Sequence, residues 1–263
     1  MVELDPAIRE FYRERYVEGD RLARSGHGQL EFLRTRELVR RFLPATPAMV
    51  LDVGGATGVH AKWLVGDGYE VHLVDPVEEH VEQARAVGGF TAAVGDARAL
   101  DQADGSVDVT LLLGPLYHLV DAADRAQALR EARRVTRVGG LVVAAGISRY
   151  AGLLEYGNNG RLSEDNVHLF TDALATGRHY DDPNGFTNAY FHHADELRAE
   201  FESAGFEDVD VLGVEGPAAP TLDNAADDDV PRLLPAAITL ARLVERDPRM
   251  MSASPHFLAF GRA

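Results

Sequence analysis

The spacing of apolar and polar residues changes period along this chain. Over residues 3–24, Ile8, Phe11, Tyr12, Tyr16 and Leu22 recur at helical spacing, until Ser25-Gly26-His27-Gly28 interrupts the run. A second helix is predicted from about Leu30 to Phe42, with Phe32, Leu33, Leu38 and Val39 apolar and Pro44 as its stop. From Val50, short apolar runs alternate with amphipathic ones. This predicts parallel strands at about 48–53, 69–74, 90–95, 107–113 and 139–147, joined by helices at 58–66, 77–87 and 121–136. Asp121 stands where an N-cap is wanted, and Gly139-Gly140 reads as the stop of the last of these helices.

Residues 149–192 break the alternation. A helix can start at Ser163-Glu164-Asp165-Asn166 and run to about Ala175, and Thr176 to Phe186 is rich in turn formers. Coming after the fifth strand, the insertion falls over the carboxyl edge of the sheet, where open α/β sheets bind ligands. It carries Tyr150, Tyr156, His168, His179 and His192, with His193 at its border, between glycines at 152, 157, 160, 177 and 185. It is expected to be a lid, mobile until ligand is bound. A helix at 194–204, a strand at 206–214, a mobile loop at 215–229, a helix at 230–246 and a last strand from His256 to Phe260 complete the pattern. The whole reads as one α/β domain, a seven-stranded, mostly parallel sheet sandwiched by helices. Residues 1–44 form a helical cap, 45–148 a ligand-binding core, 149–192 the lid, and 193–263 complete the sheet.

The pattern is organised around Met49-Val50-Leu51-Asp52-Val53-Gly54-Gly55-Ala56-Thr57-Gly58. A buried strand feeds a Gly-rich turn and then a helix, so backbone N–H groups at the helix start face whatever binds there. Such a turn alone also fits an ordinary strand–helix connection. Asp75, closing the second strand about 20 residues on, stands where a nucleoside-binding fold places its ribose carboxylate.

These glycines are spaced Asp-x-Gly-x-x-x-Gly, with Ala56 in place of a middle glycine. They are followed by Asp75, by Gly95-Asp96-Ala97, by Asp108 to Leu119 and by Val138-Gly139-Gly140-Leu141. On these motifs, over about residues 45–148, the chain resembles the class I S-adenosylmethionine (SAM)-dependent methyltransferases, small-molecule type, with their Rossmann-like fold. The resemblance implies SAM as cofactor and S-adenosylhomocysteine (SAH) as product. It implies Asp75 beside Pro76 on the ribose, Asp96 and the Ala97 N–H on the adenine, and Gly54, Gly55 and Ala56 along the methionine portion. Asp52 and the backbone of Leu113 and Gly114 would face the ammonium. Tyr16 and Arg34 would close over the cofactor from the N-terminal helices. Tyr117 and His118, after the fourth strand, and His192 and His193, beside the lid, are the catalytic candidates; one of the last two is expected to face the cavity.

Composition narrows the acceptor. Forty-two acidic against 26 basic residues give a net charge of −16, which repels nucleic acid and anionic membranes. The Arg133-Arg134 pair reads as a solvated helix face. With no cysteine, disulfides, thiolate metal sites and Cys nucleophiles are excluded. The sequence contains neither a long apolar run nor a signal-like start, so a cytoplasmic protein, monomer or homodimer, is expected. Gly114-Pro115-Leu116-Tyr117 offers no carboxylate where catechol-type methyltransferases hold a cation, so no metal is expected. The expected reaction is in-line methyl transfer to oxygen or nitrogen of a small, neutral or cationic molecule. SAM binding without transfer, as a regulatory subunit or a cyclisation catalyst, stays open, as does a nicotinamide-dependent oxidoreductase.

Overall fold

The computed structural model describes residues 8, 10, 11, 22, 25–181 and 185–263. Of the helix expected over 3–24, Ile8, Phe11 and Leu22 are described and buried, while Tyr12 and Tyr16 lie outside the described residues. Helix α1, Gly26–Phe42, starts earlier than its apolar pattern suggests. Ser25 is its N-cap and accepts from the Gly28 N–H at 2.9 Å, so the Ser-Gly-His-Gly stretch forms the first turn. Arg40 and Arg41 in the last turn complement the helix dipole.

Five strands follow at the expected places: β1 Met49–Val53, β2 Glu70–Asp75, β3 Thr91–Val94, β4 Val107–Leu112 and β5 Thr136–Ser148. Helices α2 Val59–Gly66, α3 Glu78–Val87 and α5 Ala122–Val135 join them, with a single turn, α4 Pro115–His118, after β4. All pair in parallel in the order β3-β2-β1-β4-β5. The order reverses between β1 and β4, which opens a crevice at their carboxyl ends. Successive residues of β1 serve opposite faces. Leu51 and Val53 pack with Leu129, Ala132 and Phe201, and Val50 packs with Leu38, Leu64 and Leu73.

Two local readings change. Helix α5 ends at Val135, and Gly139-Gly140 lies inside β5 rather than stopping the helix. Between Val107↔Thr136 and Val109↔Leu141 the register shifts, and Gly139, at φ +72°, absorbs the extra residues as a bulge. Asp121 takes the N-cap position of α5 without capping it; its carboxylate accepts from Arg178 Nη2 at 2.9 Å.

After β5 come α6 Ala151–Asn158, α7 Val167–Thr176 and two short strands, β6 Arg178–His179 and β7 Ala189–His192. Ile147 has His256 as partner on one side and Phe191 on the other, so β7 continues the β4 side of β5 beyond the end of β4. The chain then forms α8 Ala194–Ser203, β8 Glu207–Gly213, α9 Ala219–Asp223, α10 Val230–Val244 and β9 His256–Arg262. β9 runs antiparallel between β5 and β8. The expected strands are thus joined by β6 and β7, giving nine in one sheet among the described residues. Residues 215–229, expected as a mobile loop, hold a packed helix instead, with Leu222 of α9 against Leu30, Val230 and Ala237.

Candidate active site

At the switch point, a cleft of about 1050 Å³ is lined by the β1–α2 turn, the ends of β2 and β3, and the β4 exit. Ten of the expected ligand residues meet there: Asp52, Gly54, Gly55, Ala56, Asp75, Pro76, Asp96, Ala97, Leu113 and Gly114. Tyr117 and His118 line the same cleft.

The turn is built for close approach. Gly54 has φ +69° and Gly58 φ +87°, and a Cβ on Gly55 would meet Asp52 Oδ2 and Leu73 Cδ1 at 2.7 Å each. Ala56 is held at φ +47°, a left-handed conformation that costs a side chain about 1–2 kcal/mol. Ala56→Gly should therefore gain about 0.5–1 kcal/mol after the greater entropy of the unfolded glycine is counted. A urea midpoint that stays put or falls would show that the turn is not strained there.

Asp75 is 4% exposed, not at an open strand end as its position in the sequence suggests. Its Oδ2 accepts from the Ala56 N–H at 2.9 Å, and its Oδ1 accepts from the Val77 N–H at 3.0 Å beside His80 Nδ1 at 3.3 Å. It therefore ties the β1 turn to the start of α3. Asp52 is buried beneath the turn, and neither carboxylate oxygen has a hydrogen-bond partner. Burial, reinforced by the Asp75 charge and opposed by the Ala61 backbone, pushes its pKa up to about 7. An orphaned buried carboxylate fits the ammonium of an amino-acid ligand.

Asp96 is already engaged. Arg98 grips it through Nε at 3.0 Å, Nη2 at 2.7 Å and its backbone N–H at 2.8 Å, and holds Asp124 at 2.7 Å. Burial raises the Asp96 pKa, but the Arg98 hydrogen bonds outweigh it and keep the group below the ordinary range. Part of the acceptor capacity expected for an adenine amine is thus used by Arg98, which sequence reasoning missed although it stands two residues away.

Three expectations are corrected. Arg34 lies outside the cleft and is wholly buried, donating to Glu245 at 2.5 Å, Glu37 at 2.6 Å and the Val214 carbonyl at 3.2 Å. It fastens α1 to the end of α10. His192 lines neither this cleft nor the chamber beside it. Adjacent strand residues face opposite ways, and here Phe191 takes the chamber while His192 turns to Glu200 of α8, with Nε2 and Oε2 3.3 Å apart. His193, the N-cap of α8, also lines neither cavity; its backbone N–H donates to Glu196 at 2.9 Å.

His118 and Tyr117 remain. The Tyr117 hydroxyl donates to the Leu113 carbonyl at 3.2 Å. Burial drives the His118 pKa down to about 4 against the opposing pull of Asp75 and the Asn188 backbone, so the ring is neutral at pH 7. On the far side of these rings stands Phe186, with ring centroids 5.6 Å from His118 and 6.3 Å from Tyr117. Phe186 also lines a second chamber of about 1450 Å³ beneath α6 and α7, whose walls include Tyr156, Phe170, Phe191, Glu31, Glu155 and Asp223. Arg149 anchors this region by donating to the carbonyls of Leu174 and Phe191 and by pairing with Glu196 at 2.6 Å.

This geometry defines a class. Residues 50–140 match the family model described as a methyltransferase domain, and over that stretch the chain is similar to the class I, SAM-dependent methyltransferases. An uncharacterised methyltransferase of Mycobacterium tuberculosis is 38% identical over 105 residues, 40% of this chain and 42% of that relative. The match therefore spans about two-fifths of the curated relative's length. A solved SAM-dependent methyltransferase of Methanosarcina mazei is similar at TM-score 0.60 and 17% identity, covering 86% of this chain and 96% of that one. A Thermotoga maritima structure, described as a possible histamine N-methyltransferase, is similar at TM-score 0.56 and 19% identity, covering 90% and 91%. At these identities the structures speak to the fold. No helix among the described residues is long and apolar enough to cross a membrane.

Proposed function

We propose that this chain transfers the methyl group of SAM to an oxygen or nitrogen of a small organic acceptor. The observation that carries the reading is the meeting of two cavities at one aromatic wall, with Tyr117 and His118 on the cleft side and Phe186 on the chamber side. SAM supplies an already activated methyl on a cationic leaving group. The protein's work is therefore to bind, orient and exclude water. Asp75 would hold the ribose, Asp52 the ammonium, and the turn from Gly54 to Ala56 the methionine chain. Residues 149–192 would cover the acceptor, whose positive or neutral character suits the carboxylates of Glu31, Glu155 and Asp223. His118, neutral at working pH, is a hydrogen-bond acceptor for the incoming hydroxyl or amine and only a weak proton sink.

The test is SAH release against a panel of small amines and alcohols. His118→Ala should lower kcat by about 10²-fold with SAH affinity kept, and the wild-type profile should show no limb from this residue at pH 6–7. Substrate consumed without SAH would replace methyl transfer by another chemistry on the same fold.

Asp52 provides a second check. Its proton is held up to about pH 7 in the free protein, whereas an ammonium beside it favours the charged form. SAH binding should release a proton below pH 7, and affinity should rise with pH up to that point and then level off. Calorimetry at pH 6 in buffers of different ionisation enthalpy measures the release; none would separate Asp52 from the ammonium.

A further inference from the structure

The acceptor chamber carries a cluster of His and Glu side chains of which only Glu31 enters the reading above. His27 and Glu31 stand four residues apart on α1 and so share a face. Glu215 follows β8, and His256 opens β9; the Val214 N–H donates to the His256 carbonyl at 3.0 Å and brings the two together. One ligand atom from each of these four residues lies within 4.8 Å of every other. His27, Glu31 and His256 line the chamber, while Glu215 is wholly buried behind them.

The second layer around them is ordered as around a metal. His27 Nδ1 is 3.3 Å from Asp223 Oδ1, which fixes the ring and leaves Nε2 buried, without a hydrogen bond and 3.5 Å from Glu215 Oε1. A ligating histidine characteristically turns its other nitrogen to a carboxylate in this way. Glu215 Oε2 accepts from the Ser254 hydroxyl at 2.9 Å and the His256 N–H at 3.0 Å, which leaves Oε1 for the cluster.

We propose that His27, Glu31, Glu215 and His256 bind one divalent first-row transition ion at the wall of the acceptor chamber. Two imidazoles and two carboxylates suit a zinc-like ion, whereas magnesium and calcium prefer all-oxygen sites. Bonds of about 2.0–2.2 Å require the outermost ligand atoms to draw together by roughly 1 Å. The expectation of a metal-free enzyme considered only the β4 exit, and this site lies elsewhere. Both histidines already pair with Glu215 Oε1, which lies 2.5 Å from His256 Nδ1 and 3.5 Å from His27 Nε2.

The test is titration of the chelator-treated full chain with Co²⁺, read by visible absorption and by metal analysis after gel filtration. One equivalent should bind. His27→Ala and Glu31→Gln should weaken it by at least about 100-fold, and Asp223→Asn by about 10–100-fold, the usual effect of losing an orienting partner. SAH affinity and the melting curve report whether each variant is folded, and Glu31→Gln, at a half-buried position, remains a test if His27→Ala is not. Absence of stoichiometric uptake by the wild type, or unchanged uptake in folded Glu31→Gln, overturns the site and leaves an ion-pair network only. Uptake is read without turnover, so its failure and the failure of the methyl-transfer reading are distinguishable.

Discussion

Asp75→Asn should bind SAH about 10- to 100-fold more weakly than the wild type. The loss corresponds to about 1.5–3 kcal/mol, the usual worth of hydrogen bonds to a charged acceptor. The same variant should lose stability. Both oxygens of Asp75 face backbone donors, Ala56 N–H on one side and Val77 N–H on the other, and an amide must present its own N–H to one of them. The Asp75 charge is also one of the causes that raise the Asp52 pKa, so the variant should lower the pH at which SAH binding releases its proton. Calorimetry and urea unfolding measure the three effects together. Wild-type affinity in a folded variant removes Asp75 from the cofactor site.

Arg34→Met should unfold the protein more readily while leaving SAH affinity unchanged. It takes a wholly buried cation from Glu245, Glu37 and the Val214 carbonyl. Removing one partner of such a pair costs about 3–5 kcal/mol when nothing replaces it. Here Arg41 still reaches both carboxylates, at 2.5 and 2.7 Å, so a loss of about 3 kcal/mol is expected. A variant of normal stability with weakened SAH binding would return Arg34 to the cofactor.

The parts legible in the sequence are those whose signal is local. Buried parallel strands read as short apolar runs, and the turn from Gly54 to Gly58 reads as glycines because its backbone takes positive φ. The misread residues have distant partners. Arg34 differs from a solvated arginine chiefly through Glu245 and the Val214 carbonyl, 211 and 180 residues away. Whether Phe191 or His192 faces the chamber is decided by the pairing Ile147↔Phe191 and Ser148↔His192, which no periodicity contains. Residues 215–229 have the composition of a loop, yet Leu222 finds Leu30 and Val230 to pack against. His27, Glu31, Glu215 and His256 are likewise brought together only by the fold.

The placement of β9 between β5 and β8 has a consequence for how this protein reaches its native state. Residues 256–262 pair along Leu141–Ile147 on one side and Glu207–Gly213 on the other. Until they dock, β5 and β8 each present an open edge, and β5 is apolar from Leu141 to Ala145. Such edges template pairing between chains. The contacts that close the β5 edge, from Leu141↔Arg262 to Ile147↔His256, join residues more than a hundred positions apart, which makes their formation slow. A chain ending before His256 should therefore collect in aggregates rather than as a compact soluble fragment, even though the cleft residues from Asp52 to His118 would all be present.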